Sequence, residues 1–278
     1  MSTSDQTYKE LAIPFFKEVF DIIDEVLVNR GVPYYLIGIA AIELQLLKES
    51  KRPSRGTKDI DFAIMISSIQ MFEQIVKDLE EKGFAKAKAP WTLYHPEYNV
   101  AIDLLPFGEI EEKDTINFTK RNISLHVLGF KEVLEDPVSA KVEDRSINLP
   151  ALPGMVILKL VAWSDRPEER QNDLADILLI IHHFYDIHLD EILETHYDIF
   201  VDEEDYDRWK IAARVLGRKA SHWLRKSEAL STRIFKVLDE NLDQEARTPI
   251  SEEWARKKDW EITYAQSILN ELRTGLTE

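Results

Sequence analysis

The stretch Arg55-Gly56-Thr57-Lys58-Asp59-Ile60-Asp61-Phe62 decides how the rest of the chain is read. From Asp59 the residues alternate: Ile60, Phe62 and Ile64 fall on one face of an extended segment, and Asp59, Asp61 and Ala63 on the other. That pattern predicts a strand over Asp59 to Ile66, with the two carboxylates leaving the same face roughly 7 Å apart at the backbone. Carboxylates so placed are costly unless they are solvated, as on an exposed edge strand, or bind a cation. Hard oxygen ligands suit Mg²⁺, which takes one or two protein carboxylates plus substrate phosphates. Two such ions about 3.5–4 Å apart can clamp an in-line phosphoryl displacement.

Upstream, Tyr34 to Ile37 reads as a short apolar strand ending at Gly38, and Ala40 to Lys48 returns to a helical pattern. Before them, Leu11, Phe15, Val19, Ile22, Ile23, Val26 and Leu27 recur at helical spacing, predicting a helix over Leu11 to Val28 that Gly31 stops. Downstream, Ile69 to Lys82 is helical and closed by Gly83. Thr92 to Tyr94 and Tyr98 to Leu105 form a hairpin pattern around His95-Pro96-Glu97, and Asn122 to Val127 is another strand. The hairpin carries a third acid: Ile102 and Leu104 share an apolar face while Asp103 points with Ala101. Beside the first strand, Asp103 joins Asp59 and Asp61, where it can ligate a metal and help deprotonate an attacking hydroxyl.

Strand signals then fade. Met155 to Ser164, Glu168 to Phe184, Asp205 to Trp223, Ser227 to Glu240 and Glu252 to Leu272 read as helices. The expected architecture is an α/β domain over 1–150, a mixed sheet with flanking helices, followed by an all-helical bundle over 151–278, with the boundary near Leu149-Pro150-Ala151-Leu152-Pro153.

Composition narrows the function classes. The 278 residues are 44% hydrophobic and 31% charged, ordinary globular values that exclude whole-chain disorder. No apolar run reaches membrane-span length, and Met1 to Glu10 carries no apolar core of a secretory signal. With no cysteine, disulfides and thiolate-held zinc are excluded, and a cytoplasmic location is the default expectation. The net charge of −16 weighs against binding bulk duplex DNA. The charge is uneven. Asp186 to Asp207 holds ten acids and no Lys or Arg, whereas Lys48 to Lys58 and Arg214 to Lys226 each hold five basic residues. Either basic run is a solvated face or a local phosphate site.

Taken together, these motifs resemble the DNA polymerase β-type nucleotidyltransferase superfamily, and more narrowly the AbiEii-type nucleotidyltransferase toxins of type IV toxin–antitoxin systems. The family pattern is a strand ending in Gly-Gly or Gly-Ser, a helix, then Arg-x-Ser/Thr-x-Asp-hydrophobic-Asp-Phe, which Arg55 to Phe62 matches. A second motif, Lys-x-x-Ala followed by Arg, matches Lys159-Leu160-Val161-Ala162 and Arg166; a third resembles Arg170-Gln171-Asn172-Asp173-Leu174-Ala175-Asp176. The likeness spans 34–180. Gly38-Ile39 stands where the family has its small pair, and Asn172 where it usually has Lys.

The resemblance implies a nucleotidyltransferase fold that moves a nucleoside monophosphate from an NTP to an acceptor hydroxyl on an RNA end, a protein or a small molecule. Asp59, Asp61 and Asp103 would hold one or two Mg²⁺ ions, and Lys159 and Asp173 would join them as catalytic residues. Gly38, Arg55, Thr57, Lys159 and Arg166 would meet the nucleotide. An antitoxin is the implied protein partner. The rival is a degenerate member that binds a nucleotide or a protein without catalysis, which Ile39 and Asn172 favour.

The helical motif also has a reading of its own. Lys159, Ala162 and Arg166 lie on one helix face, with Pro167 ending the helix at Arg166. Lys159 is either a phosphate partner or one side of a salt-bridged helix pair. As a phosphate partner, its removal is expected to leave the fold nearly intact. His182, His183 and His188 lack metal-ligand spacing, and Trp163, Trp209, Trp223, Trp254 and Trp260 read as bundle core.

Overall fold

The computed structural model describes residues 8–11, 13–48, 59–200, 206–243 and 247–278. The chain divides into two compact units, Met1–Ala151 and Leu152–Glu278. No helix among the described residues is long and apolar enough to cross a membrane.

The first unit is α/β. Its elements are α1 (Phe16–Asn29), β1 (Tyr34–Ile37), α2 (Gly38–Lys48), β2 (Asp59–Met65), α3 (Ile69–Glu81), β3 (Ala85–Lys86), β4 (Thr92–His95) and β5 (Val100–Phe107). They continue through β6 (Thr115–Phe118), β7 (Ile123–His126), α4 (Phe130–Leu134), β8 (Val138–Val142) and β9 (Arg145–Leu149). Five strands make a mixed sheet in the order β1-β2-β5-β4-β3, in which only β2 and β5 run parallel. One sheet face carries Leu36, Ile60, Phe62, Leu93, Ile102 and Leu104, all fully buried, and α1 packs there through Phe20 against Phe62. Ser68 caps α3 by accepting from the Met71 amide, which sets α3 at the end of β2.

In this unit three expectations need correction. The helix expected from Leu11 starts instead at Phe16: Pro14 lacks an amide donor and disfavours helix at Ile13, and Phe15 takes a left-handed φ of 56°. Strands do not fade after Val127. Val138–Val142 pairs antiparallel with Arg145–Leu149, burying Ala140, Val142, Ile147 and Leu149. Interleaved Ser139, Lys141, Ser146 and Asn148 and a Gly-free turn at Glu143 (φ 51°) disguised that hairpin. Thr115–Phe118 is likewise an unforeseen strand that pairs with Ile123–His126.

The second unit is helical: α5 (Leu152–Asp165), α6 (Gln171–Ile187), α7 (Leu189–Thr195), α8 (Arg208–Lys226), α9 (Glu228–Leu242), α10 (Pro249–Lys258) and α11 (Ile262–Thr277). The single helix expected over Glu252 to Leu272 is two, because Asp259 turns left-handed at φ 55° and closes α10. Trp254 is fully buried and donates its indole N–H to the Leu174 carbonyl at 2.9 Å, fastening α10 to α6. Trp163 and Trp223 are buried too, while Trp209 and Trp260 are only half-buried. Helices α8 and α11 touch backbone to backbone where Gly217 meets Leu272 and Gly275 meets Arg214.

Arg218 gathers charge on α8: it donates to Asp198 at 2.5 and 2.8 Å and pairs with Glu278. The guanidinium hydrogen bond holds Asp198 below the ordinary carboxylate range, and Arg214 and Arg218 do the same for Glu278. Burial, then the Arg218 charge, lowers His196. All three folded values lie below the unfolded ones, so the stability they contribute is present above the unfolded pKa and lost as pH falls. The expected outcome is a melting temperature that declines from about pH 6.5 downward, with a flatter acid limb in Arg218→Ala. Thermal melts across pH 4 to 8 check this, and an unchanged limb in the variant would count against it.

Candidate active site

The face opposite α1 holds the acids. Strand register sets Ile37, Asp61, Asp103 and Thr92 side by side across β1, β2, β5 and β4. Asp59, Ala101 and Tyr94 form the adjoining row. Neighbouring strands lie about 4.8 Å apart, so Asp61 and Asp103 are next to one another along the backbone. Alternation does the rest. Asp59 is exposed and Asp61 and Asp103 are half-buried, whereas Ile60 and Ile102 beneath them are fully buried. The three carboxylates expected on one face of adjacent strands therefore stand there.

Two neighbours brace them. Thr92 donates its hydroxyl to Asp103 Oδ1 at 2.5 Å. Gly38 has φ +68° and lies so close to Asp61 that a Cβ there would collide with the Asp61 carboxylate. Helix α2 starts at Gly38, so its N-terminal amides open beside the acids and favour an anion there. Ile39 is buried at 6% exposure, which accounts for an apolar residue at that position.

Asp59, Asp61 and Asp103 are a hard-oxygen donor set of the kind Mg²⁺ takes. Among the described residues no three His, Asp or Glu side chains stand already gathered for an ion. The fit lies in donor chemistry and register, which set the three carboxylates on neighbouring positions of one sheet face.

Arg55 and Thr57 lie outside the described residues. Lys159 is held within the helical unit, donating to Asp173 at 2.7 Å and Asp176 at 2.8 Å. Burial pulls its pKa down, but the charges of Asp176 and Asp173 more than offset this and leave it above the ordinary lysine value. Arg170 approaches Asp173 at 3.4 Å, and Arg166, half exposed after the end of α5, faces Glu169 at 3.4 Å.

Thr92 is the member that sequence reading missed. The hairpin about Pro96 carried the signal, since pairing back from that turn sets Thr92 opposite Asp103. A hydrogen bond to a charged acceptor contributes about 1.5–3 kcal/mol, and partial exposure here favours the low end. Thr92→Val is expected to unfold at lower urea than Thr92→Ser, which keeps the donor. Equal midpoints would remove Thr92 from the site.

No family model matches the chain, and no curated protein matches it. Among solved structures, it is similar to the antibiotic-resistance factor ANT(2'')-Ia at 11% identity and TM-score 0.42, covering 79% of this chain and 93% of that one. An antigenic nucleotidyltransferase-like protein from Paracoccidioides brasiliensis matches at 15% identity and TM-score 0.40, covering 83% and 94%. The CdnE cyclic dinucleotide synthase of Elizabethkingia meningoseptica matches at 10% identity and TM-score 0.31, covering 99% and 95%. Likenesses of this size leave the chemistry to be read from the chain's own residues.

Proposed function

We propose that this chain is a Mg²⁺-dependent nucleotidyltransferase of the DNA polymerase β type, moving a nucleoside monophosphate from an NTP to an acceptor hydroxyl. The observation that carries the reading is the register of Asp61 against Asp103, with Asp59 on the same face and Gly38 pressed against Asp61. Asp59, Asp61 and Asp103 would hold the ion. When bound, Mg²⁺ neutralises charge on the triphosphate and the leaving pyrophosphate. Gly38 and the α2 amides receive phosphate oxygens. Asp103, steadied by Thr92, takes the proton as the acceptor oxygen bonds to the α-phosphorus and the bond to pyrophosphate breaks. Arg55, Thr57 and Arg166 are assigned to the nucleotide on motif likeness. Lys159 and Asp173, ion-paired with each other in the helical unit, are assigned to catalysis in the same way. The acceptor hydroxyl belongs to an RNA end, a protein or a small molecule, and the AbiEii likeness adds an antitoxin partner.

A second reading has its own support. The engagement of Lys159 by two carboxylates and the apolar Ile39 fit a nucleotide- or protein-binding module without catalysis. Thermal melts with Mg²⁺ and each NTP test the binding that both enzyme and nucleotide module share. A ligand at 100 times its Kd is expected to add about 2.7 kcal/mol, and Asp61→Asn to abolish the gain. Melts unmoved by every combination would leave only the protein-binding module.

A further inference from the structure

The carboxylate face has a direction. Gly38 and the start of α2 flank it at β1, Asp61 and Asp103 follow, and β4 closes the row with Thr92. If phosphates enter beside Gly38, the β4 side, beyond Asp103, is where the acceptor approaches. Tyr94 stands on that side. It pairs with Ala101, itself paired with Asp59, and with Ala85 on β3, so it shares the face of the acids. It lies two residues along β4 from Thr92, roughly 7 Å at the backbone. Its neighbours across the strands are two alanines, too short to shield a ring.

Tyr94 is 37% exposed, whereas Leu93 beside it is fully buried. The ring is also held. Its hydroxyl donates to Asn99 Oδ1 at 2.7 Å, and Asn99 sits at φ 53° in the hairpin turn. A flat aromatic surface fixed at both ends, open on one side and one strand beyond the base-like carboxylate, is laid out for a planar partner.

We infer that Tyr94 is a stacking platform for the unpaired nucleobase at the end of an RNA acceptor. This rests on the transferase reading and adds the class of acceptor to it. Stacking on an aromatic side chain is tolerant of base identity and needs no basic groove. It therefore suits a chain whose net charge of −16 weighs against extensive contact with a long phosphate backbone. A serine or threonine hydroxyl brings no planar group to that position.

The test compares two short single-stranded RNAs, one with an intact terminal nucleotide and one abasic at its end, titrated by fluorescence anisotropy with Mg²⁺ present. The wild-type chain is expected to prefer the base-bearing end by about 5- to 150-fold. Tyr94→Ser should erase that preference and Tyr94→Phe keep it, while Mg²⁺–ATP binding is equal in all three. Circular dichroism melts establish that the variants fold. A Ser variant that discriminates like wild type overturns the platform, as does a wild-type chain that does not discriminate. Parallel loss of ATP binding in the Ser variant also overturns it and moves the ring to the base of the NTP. In these cases Mg²⁺–ATP binding that Asp61→Asn abolishes leaves the transferase reading standing. Absence of binding to Mg²⁺ with any of the four NTPs removes both.

Discussion

Lys159→Ala is expected to destabilise the helical unit by about 3–5 kcal/mol, the cost of removing one partner from a buried ion pair. Lys159 is 12% exposed in its side chain, and its partners Asp173 and Asp176 are 8% and 3% exposed. Without the ammonium, Asp173 keeps the longer Arg170 contact at 3.4 Å, but both buried carboxylates lose their nearest counter-charge. This reverses the expectation that the substitution would leave the fold nearly intact, which treated Lys159 as facing a ligand. The triple change Lys159→Met with Asp173→Asn and Asp176→Asn removes the charges together and should recover part of the loss. The folded pKa of Lys159 is raised, so its contribution is fully present below the unfolded lysine value of about 10.4 and fades only at alkaline pH. Urea unfolding at neutral pH measures the effect. A single-variant loss under about 1 kcal/mol would mean that the pair behaves as an exposed one.

Gly38→Ala carries the second large effect, and it acts on the site as well as the fold. A left-handed φ costs a non-glycine residue about 1–2 kcal/mol. At Gly38 the added Cβ also strikes the Asp61 carboxylate. Gly31→Ala is the control, because Gly31 has φ +63° with nothing within 4 Å of an added Cβ. Both variants should lose the backbone increment in urea unfolding. Only Gly38→Ala should lose Mg²⁺–NTP stabilisation, since only it displaces Asp61. Equal ligand response in the two variants would separate Gly38 from the acids.

Much of the first unit was legible because its chemistry is periodic. Strict alternation through Asp59 to Ile64 gave both the strand and the face of its acids, and the same parity placed Asp103. Register between strands was not in the pattern itself: Thr92 joined the site only through hairpin pairing counted from the turn. Pro14 ended a helical period that apolar spacing alone extended to Leu11. The β8–β9 hairpin hid because polar residues on its outer face and a turn without glycine resemble a loop. In the helical unit, spacing put Lys159 and Asp173 on helices, but spacing is silent on which helix faces another. Burial decided that they meet each other.

Asp59, Asp61 and Asp103 together are expected to support nucleotidyl transfer. The direct measurement incubates the chain with Mg²⁺, each of the four NTPs labelled at the α-phosphate, and total RNA, protein or small-molecule acceptors in turn. Label covalently attached to one acceptor class is the expected result, lost by at least about 10²–10³-fold in Asp61→Asn, the scale of removing one stabilising group from a transition state. No label from any NTP, or equal labelling by the Asp61→Asn variant, would contradict it.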